Sequence, residues 1–302
     1  MVRAAKKDGK VISVAGGRHA MGGQQFGTDT ILIDIRSLSR VLHLDRQQGT
    51  LEVEAGIEWP ELIGGYLALQ RNDQRVWGIA QKQTGADRLT IAGAIAANAH
   101  GRGLKMKPFI SDVESLVLVD ANGVSRRCSR AENGELFGLV HGGRGLFGIV
   151  TSVRLRLIPR TKVERVVEIQ TVDELAASFE ERINEGFQYG DFQFAIDRES
   201  DDFLRKGVFS CYTPVQPTTP IAKTYDCPTK IGGSFCTWPT RMERPSRGTP
   251  NTTFRRMGRY IGRTLTNCVS ILTITTTRST GNSKQLIPTV RSSPKQVFRG
   301  PC

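Results

Sequence analysis

A histidine surrounded by glycines follows the first apolar segment of the chain. Residues 11–25 read VISVAGGRHAMGGQQ, so His19 lies between the pairs Gly16-Gly17 and Gly22-Gly23. Such small residues allow backbone N–H groups to converge on an anion, and a phosphate group is the natural ligand. A strand-to-strand turn carrying a solvated histidine would have a similar composition. This stretch alone leaves both interpretations open.

Two further segments are rich in small residues. The first is TGADRLTIAGAIAANAHGRG, residues 84–103, which predicts a helix with little side-chain bulk. Such a helix would let a second backbone or a flat ligand approach closely, and tight core packing is the alternative interpretation. Residues 141–160, HGGRGLFGIVTSVRLRLIPR, contain G-x-G-x-x-G. We do not interpret this spacing as a dinucleotide fingerprint, because that motif needs a strand before the glycines and a helix after them. Here the predicted helix precedes the glycines and the predicted strand follows.

The elements that would position these segments alternate between short strands and helices. Apolar runs bounded by Gly, Asp and Asn predict strands over 11–15, 31–35, 51–56, 115–120 and 149–159. Helical patterns cover 57–69, 90–99, 133–142 and 172–186. The opening residues, with Gly9 after a basic turn, resemble the end of a helix, which predicts an element cut at the N-terminus. The chain is therefore predicted to be α+β.

The glycine-rich segments, taken in order, carry a family resemblance. AGGRHAMGGQ (15–24), TIAGAIAANAHG (90–101), SLVLVDANG (115–123) and ELFGLVHGGRGLFGIVTSVRLRLIP (135–159) resemble the flavin-binding domain of the vanillyl-alcohol oxidase / p-cresol methylhydroxylase (PCMH-type) family of FAD-linked oxidases. The sugar-lactone and alditol oxidase branch is the most similar in character. The resemblance implies a PCMH-type FAD-binding domain with two small α/β subdomains over residues 1–160.

The resemblance also implies which residues contact FAD. Backbone groups of the first loop would hold the pyrophosphate, the start and end of the small-residue helix would line the cofactor, and main-chain atoms after the third cluster would reach the adenine end. In that order the implied residues are Gly16, Gly17, Arg18 and Ala20, then Thr90, Gly93, Ala97, Asn98, Ala99 and His100, then Ile149. His100 is equally well explained as a packing residue of its segment.

His19 matches the position at which many members of this family bond covalently to the flavin. Such a link raises the reduction potential and prevents dissociation of the cofactor, so we expect FAD attached through His19, with a non-covalent loop histidine as the alternative. No cysteine lies within residues 84–103, so a second covalent link is not expected. The cysteine spacings match no zinc template, and the sequence predicts no metal site.

In the family, a second domain covers the isoalloxazine and supplies the acid or base groups. Residues 161–211 resemble the beginning of that substrate domain, but the pattern stops after Cys211 and no catalytic residue is identified. The resemblance implies hydride transfer from an alcohol, sugar or lactone C–H to flavin N5, with reoxidation by oxygen or another acceptor. The alternative is a non-catalytic flavin-binding remnant of a truncated or frameshifted oxidase.

The basic charge of the chain is concentrated in its last part. The formal net charge is +13, yet residues 1–211 hold 28 Lys and Arg against 27 Asp and Glu, whereas residues 212–302 hold 14 against 2. This Pro- and Thr-rich tail is predicted to be disordered, a small cysteine-bearing module, or a product of reading out of frame. Its basic residues lack aromatic stripes, so nucleic acid is not expected as a partner.

The expected partner is therefore a small molecule, a polyol, sugar or lactone. No apolar run is long enough for a membrane helix, and the opening residues are too charged for a signal sequence, so we expect a cytoplasmic protein without a membrane partner.

Overall fold

A computed structural model describes residues 1–83 and 87–220, together with the backbone of one strand at Thr273–Thr277. The chain begins with helix α1 (Val2–Lys7), and Gly9 follows it with φ of +62°. Strands β1 (Ile12–Ala15) and β2 (Ile31–Asp34) form a two-stranded parallel sheet. Because parallel strands place their carboxyl ends at one edge, the loop after Ala15 lies beside the end of β2.

The next element is a six-stranded sheet. Its strands are β3 (Val41–Asp45), β4 (Thr50–Glu54), β5 (Trp77–Ile79), β6 (Val113–Val119), β7 (Ser125–Ser129) and β8 (Ile149–Pro159). The order is β3-β4-β8-β6-β7, and β5 also pairs with β8. Along β8 the buried Val153, Leu155 and Leu157 alternate with arginines, as expected for a strand with one face in the core. This strand therefore organises the sheet.

Three helices accompany the six-stranded sheet: α2 (Trp59–Leu69), α3 (Ile91–Ala96) and α4 (Gly134–Val140). Helix α2 buries Trp59, Leu62 and Tyr66, whose helical spacing forms one apolar face. All three helices contribute side chains to one hydrophobic cluster with β4, β6 and β8. The glycine-rich segments thus join elements of a single core.

A second sheet follows residue 160. It contains β9 (Lys162–Thr171), β10 (Tyr189–Phe194), β11 (Lys206–Val215) and β12 (Thr273–Thr277) in the order β10-β11-β9-β12. Helix α5 (Leu175–Asn184) lies against it through an edge-to-face contact of Phe179 with Phe209. Strand β11 continues past Cys211 and so crosses the boundary predicted between residues 211 and 212.

The predicted helices are all present, although each is shorter than its sequence pattern. Strands β3, β5 and β7 were not predicted, because their runs are short or carry charged residues. Strand β11 was not predicted, because it crosses the point at which the sequence pattern stops. The interpretations of the tail concern residues that, from 221 onward, lie outside the described part of the chain apart from the backbone of β12. They remain predictions.

Candidate functional site

The first glycine loop packs directly on the segment that opens α3. A Cβ built on Gly16 would overlap the hydroxyl oxygen of Thr90, and a Cβ built on Gly17 would overlap the backbone carbonyl oxygen of Arg88. Thr90 is fully buried and caps α3, since its Oγ1 accepts a hydrogen bond from the Gly93 N–H at 3.2 Å. Two segments that lie about seventy residues apart in the sequence therefore pack so closely here that there is no room for a side chain on either glycine.

Charged side chains surround the first loop. Arg18, in the left-handed region with φ of +60°, lies 3.3 Å from the carboxylate of Asp34, and Arg36 lies 2.6 Å from the same group. The hydrogen bond from Arg36 lowers the pKa of Asp34 to about 2. Two guanidinium groups thus share one carboxylate, which leaves net positive charge beside the loop. That sign suits a bound pyrophosphate.

The His19 side chain is exposed on this loop. Its Cδ2 atom lies 3.3 Å from the position of a Cβ built on Gly17. Within residues 1–83 and 87–220, no hydrogen bond or ion pair to the His19 ring is found. An imidazole with these surroundings is accessible to a bound ligand, as is required of an attachment point.

The third glycine-rich segment packs on the other end of α3. Gly142 donates its backbone N–H to Ile95 at 2.9 Å, and Arg144 donates to Ala96 at 3.1 Å. These contacts surround Asn98, which has φ of +44° and a buried side-chain oxygen with no hydrogen-bond partner among the described residues. Burying an acceptor without a partner is costly, so a ligand hydroxyl or N–H at this point would be favourable.

The end of the small-residue segment is more exposed. The His100 ring is exposed, and its Nδ1 lies 3.1 Å from the carbonyl oxygen of Gly101. The Gly101 N–H in turn donates to Gln81 at 3.1 Å. Ala97 is exposed and Ala99 is half-buried at the same end of α3. These residues form a surface with little side-chain bulk beside the helix terminus.

Ile149 lines a cavity of about 440 Å³ between the two-stranded sheet and the six-stranded sheet. Asp34, Ile35, Val119 and Thr151 also line it. This volume lies in the range of small-molecule sites. Gly148, with φ of +138°, precedes Ile149, and a Cβ there would lie 2.6 Å from the carbonyl oxygen of Val119. The glycine therefore permits the close strand crossing that brings Ile149 to the cavity.

The predicted contact residues are distributed around one helix. The first loop lies at the N-terminal end of α3, the third segment lies at its C-terminal end, and the cavity at Ile149 adjoins the end of β2. Sequence reasoning missed Asp34 and Arg36, although an acidic residue that ends a strand is a recognisable signal near a phosphate loop.

Across the described ranges, no cluster of three or more His, Cys, Asp or Glu is arranged to hold a metal, and no helix is long and apolar enough to cross a membrane.

Comparison with known proteins identifies similar chains. Residues 1–129 match the family model described as FAD binding domain. L-gulonolactone oxidase from Bos taurus is 28% identical over 172 residues, which are 57% of this chain and 37% of that protein. Cytokinin dehydrogenase 3 from Oryza sativa subsp. japonica is 35% identical over 156 residues, which are 49% of this chain and 28% of that protein.

A solved structure is similar in fold. The crystal structure of 6-hydroxy-D-nicotine oxidase from Arthrobacter nicotinovorans superposes with a TM-score of 0.54 at 22% identity, over 70% of this chain and 46% of that one. These findings confirm both the family resemblance and the mixed α/β fold expected from the sequence. The matched part of this chain spans about a third of the length of the curated relatives.

Proposed function

We propose that this chain binds FAD and acts as the flavin-binding part of an oxidoreductase. The proposal starts from the match of residues 1–129 to an FAD binding domain of the PCMH type. The observation that carries the proposal is the contact of the Gly16-Gly17 loop with the Thr90 cap of α3. This contact, together with the arginine pair at Asp34, builds a positively charged cradle, to which the loop would add its backbone N–H groups. Bound FAD would supply the hydride acceptor for oxidation of a C–H bond next to oxygen.

Each part of the cradle would hold a different part of the cofactor. Backbone N–H groups of the first loop and the guanidinium of Arg18 would bind the pyrophosphate oxygens. The unpartnered oxygen of Asn98 would accept a hydrogen bond from a hydroxyl of the ribityl chain or ribose. The cavity at Ile149 would take the adenine end. The remaining predicted residues, Ala20, Gly93, Ala97, Ala99 and His100, would line the cofactor between these points.

His19 is proposed as the point of covalent attachment to the flavin. Two properties support this assignment: its ring is exposed on the loop beside Gly17, and it is not engaged by other described side chains. Such a bond would keep the cofactor in place and raise its potential. The chain's own contribution is then to hold the flavin ring through His19, the pyrophosphate through the backbone of the first loop, and the adenine end at Ile149.

The substrate proposed is a polyol, sugar or lactone, and the sheet after residue 160 is proposed as the beginning of the domain that covers it. The similar proteins include L-gulonolactone oxidases from two mammals and an L-gulono-1,4-lactone dehydrogenase from Mycobacterium tuberculosis. Cytokinin dehydrogenases are also among them, so a cytokinin is the competing substrate. A panel of substrates has to separate the two.

The function is tested by loading the full chain with FAD and following the visible flavin absorption under anaerobic conditions. Loss of this absorption on adding L-gulono-1,4-lactone or an alditol, but not on adding a cytokinin, supports the proposal. Bleaching by the cytokinin alone would transfer the assignment to the other class. A chain that loads FAD but is reduced by no substrate would instead be the non-catalytic flavin-binding protein that was the alternative expectation.

A further inference from the structure

The segment that follows His100 forms an extra edge of the second sheet. The Gly190 N–H donates to the carbonyl oxygen of Arg102 at 2.9 Å, and the Leu104 N–H donates to that of Gln188 at 2.9 Å. Gly103 lies opposite Tyr189 in an antiparallel bridge. Strand β10 therefore has a neighbour that comes directly from the proposed flavin-lining segment.

An ion pair crosses the same junction. Arg102 Nη1 lies 3.0 Å from Asp191 Oδ1, and the two side chains are 16% and 14% exposed. Gln193 donates to the other oxygen of Asp191 at 3.2 Å, and the Tyr189 hydroxyl donates to the carbonyl oxygen of Ala80 at 2.8 Å. Burial raises the pKa of Asp191, while Arg102 and Arg165 act against that rise. The carboxylate is thus held between cations in a mostly dry environment.

The register of the sheet shows which face carries this pair. Asp191 is paired with Ser210, and the fully buried Ser210 hydroxyl accepts a hydrogen bond from Arg165 at 2.8 Å. The opposite face contains a second buried pair, in which Arg182 of α5 lies 2.5 Å from Glu168. One sheet therefore holds two arginine–carboxylate pairs, one toward residues 80–106 and one toward α5.

We infer that Arg102 and Asp191 are positioning residues that fix the segment of residues 97–101 against the flavin. This inference rests on the proposed function, since it assumes that the segment contacts FAD. A buried pair that loses one partner leaves an uncompensated charge, so the junction would rearrange rather than tolerate the loss. Asp191 lies beyond the matched FAD binding domain, which ends at residue 129. The noncovalent affinity of the site for FAD therefore depends on the second sheet.

The test compares two isosteric neutralisations, Asp191→Asn and Glu168→Gln, in the full chain carrying His19→Ala, so that FAD loads reversibly. Both remove the charge of a buried carboxylate paired with arginine in this sheet, but only Asp191 faces the flavin-lining segment. The first measurement is the FAD concentration at which half of the chains are loaded. The second is backbone amide hydrogen exchange across residues 97–104 in the FAD-free chain, followed by mass spectrometry. Thermal unfolding shows how far each substitution lowers stability.

The inference predicts that Asp191→Asn raises the half-loading FAD concentration at least about tenfold and speeds exchange across residues 97–104, whereas Glu168→Gln changes both by less than about twofold. Equal effects of the two substitutions, or none from Asp191→Asn, would overturn it. Should Asp191→Asn fail to fold, Asp191→Glu is compared with Glu168→Asp by the same criteria. An unmodified chain that loads no FAD refutes the proposed function, and the inference with it. Normal loading of both the unmodified chain and Asp191→Asn refutes the inference alone.

Discussion

Replacement of Gly17 by alanine tests whether the contact between the first loop and the α3 segment builds the cofactor site. The added methyl group would point into the backbone carbonyl oxygen of Arg88, which cannot rotate away as a flexible side chain would. A comfortable contact between nonbonded heavy atoms is about 3.5 Å, so the two backbones would have to move apart by about 1.4 Å. The substitution therefore separates the loop from Thr90 without changing any charge.

The size of the effect follows from the cost of overpacking. Forcing an extra methyl group into a packed site typically costs about 1–3 kcal/mol. In the FAD-free chain the loop would relieve this strain by moving outward, and FAD binding would restore it. If the whole cost appears in binding, FAD affinity falls by about fivefold to a hundredfold, because about 1.4 kcal/mol corresponds to a factor of ten.

The assay is an FAD titration of the purified chain carrying His19→Ala, in which binding is reversible, with unfolding by urea measured in parallel. Gly64→Ala is the matched control, because Gly64 lies in α2 and a Cβ there would meet nothing within 4 Å. We expect this control to raise the free energy of unfolding by about 0.5–1 kcal/mol, through the better helix propensity of alanine, and to leave FAD affinity unchanged. Unchanged FAD affinity in folded Gly17→Ala would refute the reasoning that this contact shapes the site.

The remaining predictions use other parts of the chain. Acid precipitation of the FAD-loaded chain should retain the yellow colour, and His19→Ala should release it; colour lost from the unmodified chain would contradict the covalent link. The ion pair with Arg36 should stabilise the fold fully above the pKa of Asp34 in the unfolded chain, about 3.9, and this stabilisation should be lost as the pH falls through its folded pKa of about 2. The difference in unfolding temperature between the parent and Asp34→Asn should therefore shrink over that interval. A difference that stays constant with pH would contradict this account of the pair. Leu62→Ala should lower the free energy of unfolding by about 2–5 kcal/mol, because the Leu62 side chain is fully buried. Leu139 is 44% exposed, so Leu139→Ala should lower the free energy of unfolding by about 0.5 kcal/mol or less in the same denaturant titration.

Local patterns in the sequence predicted the helices of residues 57–186 and several of the strands. The alternation of Val153, Leu155 and Leu157 with arginines predicted β8, because a strand with one buried face repeats every two residues. The resemblance of the glycine-rich segments to a known family implied an FAD-binding domain, and the family match confirmed that resemblance. Each segment depends on residues close together in the chain, but only the segments taken in order carried the resemblance.

The tertiary structure decided how the segments meet. No pattern in the sequence indicated that Gly17 contacts Arg88, or that Asp34 is shared by Arg18 and Arg36, because these contacts depend on how parallel strands and α3 pack.

The pairing of Arg102 with Asp191 is hidden from the sequence for the same reason. The two residues are 89 positions apart, and charged residues are usually solvated, so neither signals its buried partner. The resemblance of the chain's glycine-rich segments to a known family thus pointed to FAD as the cofactor. The folded arrangement determined which charges and backbones surround it, since long-range contacts arise only when separate elements bury their apolar faces together.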